Sequence, residues 1–262
     1  MTLRGLLLWL LGALAAWPLA AAGRTYRVAT TPWMGWTYLD VAEAKGFWKA
    51  EGLSVDVQRF PDGATYLDAL LSRKVEFSCC MIGDAVWIHT HASPVQILLE
   101  TGWSVGGDRF LVRKGRTLAE LAGRPVGVYQ GTYALPFFLK KALGSEYRHL
   151  AASTFVHMSP PDLVAQIQAG RLDMAVLYDP FARTVAPLTR MAASSDRPAG
   201  CIPEGLFAFR ETLDDIPSRD VDAFLRGILK ALAWMAAPAN DAELLGIVNR
   251  RSFQSQPLAS LA

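Results

Sequence analysis

Four short segments carry residue types that could hold a small solute. Thr30 to Trp36 places Trp33 and Trp36 three residues apart. Cys80 to Asp84 brings Gly83 and Asp84 to the start of a predicted helix. Gln130 to Tyr133 does the same with Gly131, Thr132 and Tyr133. Tyr178 and Asp179 stand ahead of Pro180 and Phe181. Aromatic rings offer stacking area and can face a cation. Helix N-termini present unpaired N–H groups and a positive dipole end to a polar or anionic ligand. Each residue also has a plainer reading: the tryptophans as core, Asp84 as an early-helix acid, Thr132 as an N-cap, Asp179 as a turn former. Their convergence on predicted strand ends favours a site.

Catalytic patterns are poor by contrast. His89 and His91 are two apart, so on a helix they diverge and would not share a metal. Two-plus-two cysteine spacing, a Gly-x-Ser-x-Gly elbow, a P-loop and a Gly-x-Gly-x-x-Gly turn are all missing from the sequence. A cysteine nucleophile paired with His157 is conceivable, but nothing in the sequence places them together. The expectation is a protein that is not an enzyme, with no metal and no cofactor.

The elements that must position these segments alternate between strand and helix. Strands are read at Tyr26 to Ala29, Ser54 to Arg59, Val75 to Cys79, Val95 to Glu100, Arg109 to Val112, Val126 to Tyr129, Thr154 to His157, Met174 to Leu177 and Leu206 to Phe209. A helix follows Trp36 and ends in Ala44-Lys45-Gly46-Phe47-Trp48. Further helices follow Pro61-Asp62-Gly63 and run over Gly83 to Thr90 and Tyr133 to Leu143. Thr117 to Leu121 reads as a short helix, with Thr117 and Glu120 as a capping box. Ser159 opens another helix and Gly170 ends it. Val221, Phe224, Leu225, Ile228, Leu229 and Leu232 form a 3.6-residue stripe in a last long helix. The alternation predicts an α/β fold with helices on both faces of a parallel or mixed sheet. Such sheets bind ligands beyond the carboxyl ends of their strands.

The 262 residues are 52% hydrophobic and 19% charged, ample for one large domain or two small ones. Net charge is +2, or +1 without residues 1–22, where only Arg4 is charged. With no long Lys/Arg block, nucleic acid is not an expected partner. Residues 1–22 read as a secretory signal peptide: Arg4, an apolar run from Gly5 to Trp17, and Ala20-Ala21-Ala22 as a cleavage site. The run is short of the roughly 20 residues a spanning helix needs. Cleavage near Ala22 would place the protein in the periplasm. Cys79, Cys80 and Cys201 would meet an oxidising compartment. A bridge from Cys201 to one of the adjacent pair is an option, and buried thiols are the favoured reading.

The run Trp36-Thr37-Tyr38-Leu39-Asp40-Val41-Ala42-Glu43-Ala44-Lys45-Gly46-Phe47-Trp48, then Glu51-Gly52-Leu53, resembles the start of the nitrate/sulfonate/taurine-type periplasmic solute-binding proteins of ABC importers. That family also includes binders of thiamine-pyrimidine precursors. Asp62-Gly63, Val75-Glu76-Phe77, Val112-Arg113-Lys114-Gly115 and Tyr178-Asp179-Pro180 resemble the family in order, so the likeness spans about Tyr26 to Ala237. It implies a hinged, two-lobed type II periplasmic binding fold that closes on its ligand. Lobe one would hold residues 23–108 and 203–262, and lobe two 109–202. Trp33, Trp36, Gly83, Asp84, Gly131, Thr132, Tyr133, Tyr178 and Asp179 match its cleft positions. The implied partners are a small-molecule ligand and a permease in the inner membrane, and a monomer is expected. Family members run longer: the stripe here ends near Ala236 and Arg250 to Ala262 has no helix pattern, which suggests missing carboxyl-terminal helices.

The cleft segments contain no Lys or Arg. A sulfonate would rest on helix N-termini and hydroxyls alone, and buried Asp84 and Asp179 need partners. An aromatic heterocycle or an amine-bearing solute is therefore expected over a simple inorganic anion. The alternatives are an enzyme on the same fold, like the family's pyrimidine synthases, or a ligand-sensing module.

Overall fold

Short apolar runs form the centres of two separate sheets. In β3 (Phe77–Met81), β6 (Val126–Tyr129) and β8 (Met174–Tyr178), every residue is buried. That is the pattern of strands covered on both faces. The computed structural model describes residues 24–31, 33–61, 63–129, 132–196 and 201–251. The expected leader (1–22), Gly131 and the tail from Ser252 lie outside the described residues.

The first sheet has the order β2-β1-β3-β10-β4, with β1 (Thr25–Thr30), β2 (Ser54–Arg59), β4 (Val95–Ser104) and β10 (Ile202–Phe209) around β3. β1 is parallel to β2 and β3, whereas β10 is antiparallel to β3 and β4. The second sheet repeats the pattern as β7-β6-β8-β5-β9, with β5 (Asp108–Arg113), β7 (Phe155–Met158) and β9 (Thr189–Ser194). β6 is parallel to β7 and β8, and β5 is antiparallel to β8 and β9. The architecture is thus α/β and two-lobed, with a five-stranded mixed sheet in each lobe. The chain passes between the sheets twice, from β4 to β5 and from β9 to β10.

The helices are α1 (Thr37–Ala44), α2 (Phe47–Ala50), α3 (Gly63–Leu71), α4 (Ile82–His91), α5 (Leu135–Leu143), α6 (Pro160–Gln168), α7 (Phe181–Val185), α8 (Arg210–Asp214), α9 (Ser218–Met235) and α10 (Asp241–Arg251). The single helix read after Trp36 is two helices, because Gly46 adopts a left-handed φ of 66° between them. Trp48 then enters the core beneath α9. Its ring stacks on Phe224 at 5.4 Å and its indole N–H donates to the Phe224 carbonyl at 3.0 Å. Phe224 in turn stacks on Phe77 at 4.0 Å. Glu51 accepts from Arg226 at 2.7 Å and pairs with Lys230. The Gly46-Phe47-Trp48 phrase therefore anchors α9.

Several other expectations need correction. β3 starts and ends two residues later than read, since Glu76 is drawn to Arg27 by backbone and side-chain bonds instead of extending the strand. The Thr117–Glu120 capping box forms its reciprocal bonds, yet only turns follow, not a helix. In α9 the buried face includes Ala223, Gly227 and Ala231, while Leu229 is half exposed. Helix α10 was not anticipated; it buries Ile247 and Val248 and reaches Arg251, so Arg250 and Arg251 are helical. β9 was also missed, because Thr189–Ser194 lacks the branched apolar run that marks the other strands. Cys79 and Cys80 are buried, and the cysteines form no disulfide. Among the described residues no helix is long and apolar enough to cross a membrane.

Candidate ligand-binding cleft

The carboxyl ends of β1, β3, β6 and β8 meet at one cleft between the sheets. It is lined by Trp33, Trp36, Asp84, Thr132 and Tyr178 from the predicted set, and by Tyr66, Tyr129 and Glu204 besides. The enclosed volume is about 80 Å³, or about 650 Å³ when the open mouth and the gaps between lining atoms are counted. Among the described residues no lysine or arginine lines it.

The two walls touch. Trp33, carried after β1, meets Tyr178 at the end of β8 edge-on, with ring centroids 5.2 Å apart. Tyr178 makes further edge contacts with Tyr129 at 5.1 Å and Phe181 at 5.5 Å. Outside the cleft, Trp87 of α4 stacks on Tyr133 at 3.6 Å. Trp36 is buried against Tyr38 and serves both core and cleft.

Asp84 is the polar link between the walls. It sits in the first turn of α4 and is 3% exposed. One carboxylate oxygen accepts from the backbone N–H of Tyr133 at 2.5 Å and of Ala134 at 2.8 Å. Those N–H groups lead into α5, which begins at Leu135, so an acid from the opposite wall caps this helix. Burial pushes Asp84 up to about 7, and the two N–H donors only partly offset this. The helix start expected to greet a ligand is therefore already engaged. Gly83 permits the approach: a Cβ there would lie 2.8 Å from the Ala134 Cβ.

Thr132 is buried and donates its hydroxyl to the Tyr129 carbonyl at 2.6 Å. Tyr133 contributes its backbone and its stack on Trp87. Asp179 faces elsewhere: Arg109 holds it with two bonds at 3.0 and 2.9 Å, and Arg183 adds a third at 3.0 Å.

Glu204 on β10 is the acid that sequence reasoning missed. It is 4% exposed, and its Oε1 has no hydrogen-bond partner. The Trp33 Nε1 is likewise buried without a partner. It lies beside the same carboxylate, near enough to lower its pKa but not aligned for a hydrogen bond; burial dominates and holds Glu204 up at about 7. Both groups converge on Gly35, where a Cβ would fall 2.4 Å from Trp33 Nε1 and 2.5 Å from Glu204 Oε2. The signal was an acid inside Ile202-Pro203-Glu204-Gly205, an otherwise apolar run just ahead of the strand read from Leu206; the strand in fact starts at Ile202.

Where the chain crosses between sheets, Asp108 is buried and fully engaged. Ser104 donates to it at 2.6 Å and Tyr129 at 2.5 Å, while its own N–H donates to Ser195 Oγ at 3.1 Å. Burial raises its pKa despite these donors. Trp33 packs over this crossing, since a Cβ on Gly107 would meet the indole at 2.6 Å.

Residues 34–242 match the family described as NMT1/THI5 like. A Brucella abortus (strain 2308) protein, named as a presumed binding protein, is 27% identical over 184 residues, covering 68% of this chain and 56% of its own. The chain spans about half the length of the curated relatives it matches. The periplasmic nitrate-binding protein NrtA of Synechocystis PCC 6803 has a similar structure, with TM-score 0.68 and 17% identity over 90% of this chain and 68% of that one. The alkanesulfonate-binding protein SsuA of Xanthomonas axonopodis pv. citri, bound to MOPS, gives TM-score 0.69 and 18% identity over 92% and 82%. These structural likenesses establish a shared fold.

Proposed function

We propose, for a chain that belongs to the NMT1/THI5-like family, that it is the solute-binding component of an ABC importer. It captures a small organic solute between its lobes and delivers it to an inner-membrane permease. The observation that supports this most is the cleft itself. Aromatic, hydroxyl and acidic groups from both sheets face one enclosed space, and Asp84 and Trp33 bridge its walls. Closure on a solute exploits such bridges, because contacts made only when the lobes meet couple binding to hinge motion. We assign residues 23–108 and 203–262 to lobe one and 109–202 to lobe two; β5 starts at Asp108 and β10 at Ile202, each one residue before the assigned bound.

Among the described residues no cation lines the cleft, which favours an aromatic heterocycle or an amine-bearing solute over nitrate or a sulfonate. Binding without turnover is the preferred reading. Cys79 and Cys80 line the cleft, but burial pushes Cys79 up to about 12 and Cys80 well above its ordinary value, so neither supplies a thiolate. Export to the periplasm, with the leader removed near Ala22, completes the proposal. Osmotic-shock fractionation of cells making the full chain, followed by thermal-shift screening of the released protein, tests both parts. The reading predicts a processed protein in the shock fluid that is stabilised by a pyrimidine or an amine. Retention in the cytoplasm, or stabilisation by nitrate and alkyl sulfonates alone, contradicts it.

A further inference from the structure

Glu204 makes the cleft selective in a way that the aromatic lining does not. Glu204 lines the cavity, and its Oε1 is buried and lacks a hydrogen-bond donor. Leaving a buried carboxylate oxygen unpaired is costly, and no described residue relieves it. The ionisable groups facing it are Asp108 from the crossing, Tyr38 from α1, and Cys79 and Cys80 from β3, with Asp84 on the same cavity wall. All are acids or high-pKa phenols and thiols; none is a cation. The Trp33 indole lies beside it and Tyr178 lines the same cavity, and aromatic faces attract a cation in a desolvated site.

Accepting the solute-binding reading above, on which this rests, we infer that the solute is a small organic cation whose ammonium or amidinium group donates to Glu204 while its apolar body packs on Trp33 and Tyr178. Charge then balances inside the cleft: the ligand contributes +1 and Glu204, on losing its proton to solvent, −1. Without ligand the raised pKa leaves the acid about half protonated near pH 7 and mostly protonated at pH 6, so binding a cation releases protons over this range. Affinity for the cation therefore rises as pH climbs through about 7 and falls below it. A neutral ligand accepting a hydrogen bond from protonated Glu204 has the opposite dependence.

The test is isothermal titration of the full-length mature protein with benzylamine, benzyl alcohol and benzoate at pH 6 and pH 8. These probes share a ring and differ in charge. The expected result is benzylamine preferred about tenfold or more at pH 8, with affinity about tenfold weaker at pH 6. Glu204→Gln should weaken benzylamine about tenfold and flatten the pH response. Should that variant fold poorly, the pH dependence of the unmutated protein decides the matter. The cation assignment is overturned by equal or tighter binding of benzyl alcohol or benzoate, by tighter benzylamine binding at pH 6, by an unaffected Glu204→Gln variant, or by no benzylamine binding at millimolar concentration. If benzoate or nitrate binds and Trp33→Ala abolishes it, the solute-binding reading stands and only the cation is lost. If no probe binds and no solute accompanies the protein from the periplasm, both fall.

Discussion

Asp84 and Asp179 follow the third strand of their respective sheets, at corresponding points of two repeated topologies. Their surroundings differ completely. Asp84 is almost fully buried, has no cationic partner among the described residues, and is held by two backbone N–H groups from the opposite wall. Asp179 is 30% exposed and bound by Arg109 and Arg183. The same strand-end position thus serves as a link between lobes in one sheet and as a partly exposed ion-pair anchor in the other. Topology delivers an acid to a strand end; the charge and exposure of its neighbours decide what it does.

The contrast predicts unequal costs. Asp84→Ala strands one buried and one part-buried N–H group, each worth about 1–3 kcal/mol when left unpaired, for a combined loss of about 2–6 kcal/mol. Urea denaturation measures this, and small-angle scattering should report a more open particle. Asp84→Asn keeps an acceptor and should lose less than half as much. Trp33→Ala comes next. It removes the edge contact with Tyr178 and the cover over Gly107, at about 2–4 kcal/mol because the ring is only partly buried. Solute affinity should suffer more than stability, which paired calorimetry and denaturation would separate. Asp179→Ala breaks a partly exposed ion pair and should change stability by about 1 kcal/mol or less. If Asp179→Ala proves as damaging as Asp84→Ala, the contrast between the two sheets collapses.

Acidity sharpens the same comparison. Asp84 and Glu204 are raised to about 7 in the fold, against about 4 in an unfolded chain. The folded state then holds protons that the unfolded state has released. The stability these groups contribute is present below about pH 4 and is lost as pH rises through about 7. The ligand-free protein should therefore melt at lower temperature at pH 8 than at pH 5. Asp84→Asn and Glu204→Gln should each reduce that difference, as differential scanning calorimetry would show.

Much of the fold was legible because its signals are local. Strand β6, helix α6 and most of β1 follow from apolar runs bounded by glycine, proline or a capping serine, and Ser159 accepts from the Asp162 N–H as its sequence position suggests. The tryptophan loop and Asp84 were legible as strand-end residues. What stayed hidden is tertiary. Trp48 and Trp33 look alike in sequence, yet one is fixed under α9 by a helix some 176 residues away and the other meets the opposite lobe. Asp179 looked like Asp84 until Arg109, 70 residues distant, came beside it. Glu204 escaped because its neighbours in the cleft come from the loop after β1, from β3 and from the interlobe crossing, which no window of sequence contains.

Native mass spectrometry of the protein recovered from the cells that make it asks most directly whether a solute sits between the two sheets. The account predicts a single small solute bound one to one to the unmutated protein, absent from Trp33→Ala and weakened in Asp84→Ala. A protein that carries no solute, or one whose solute survives both substitutions, would contradict a binding site between the two sheets.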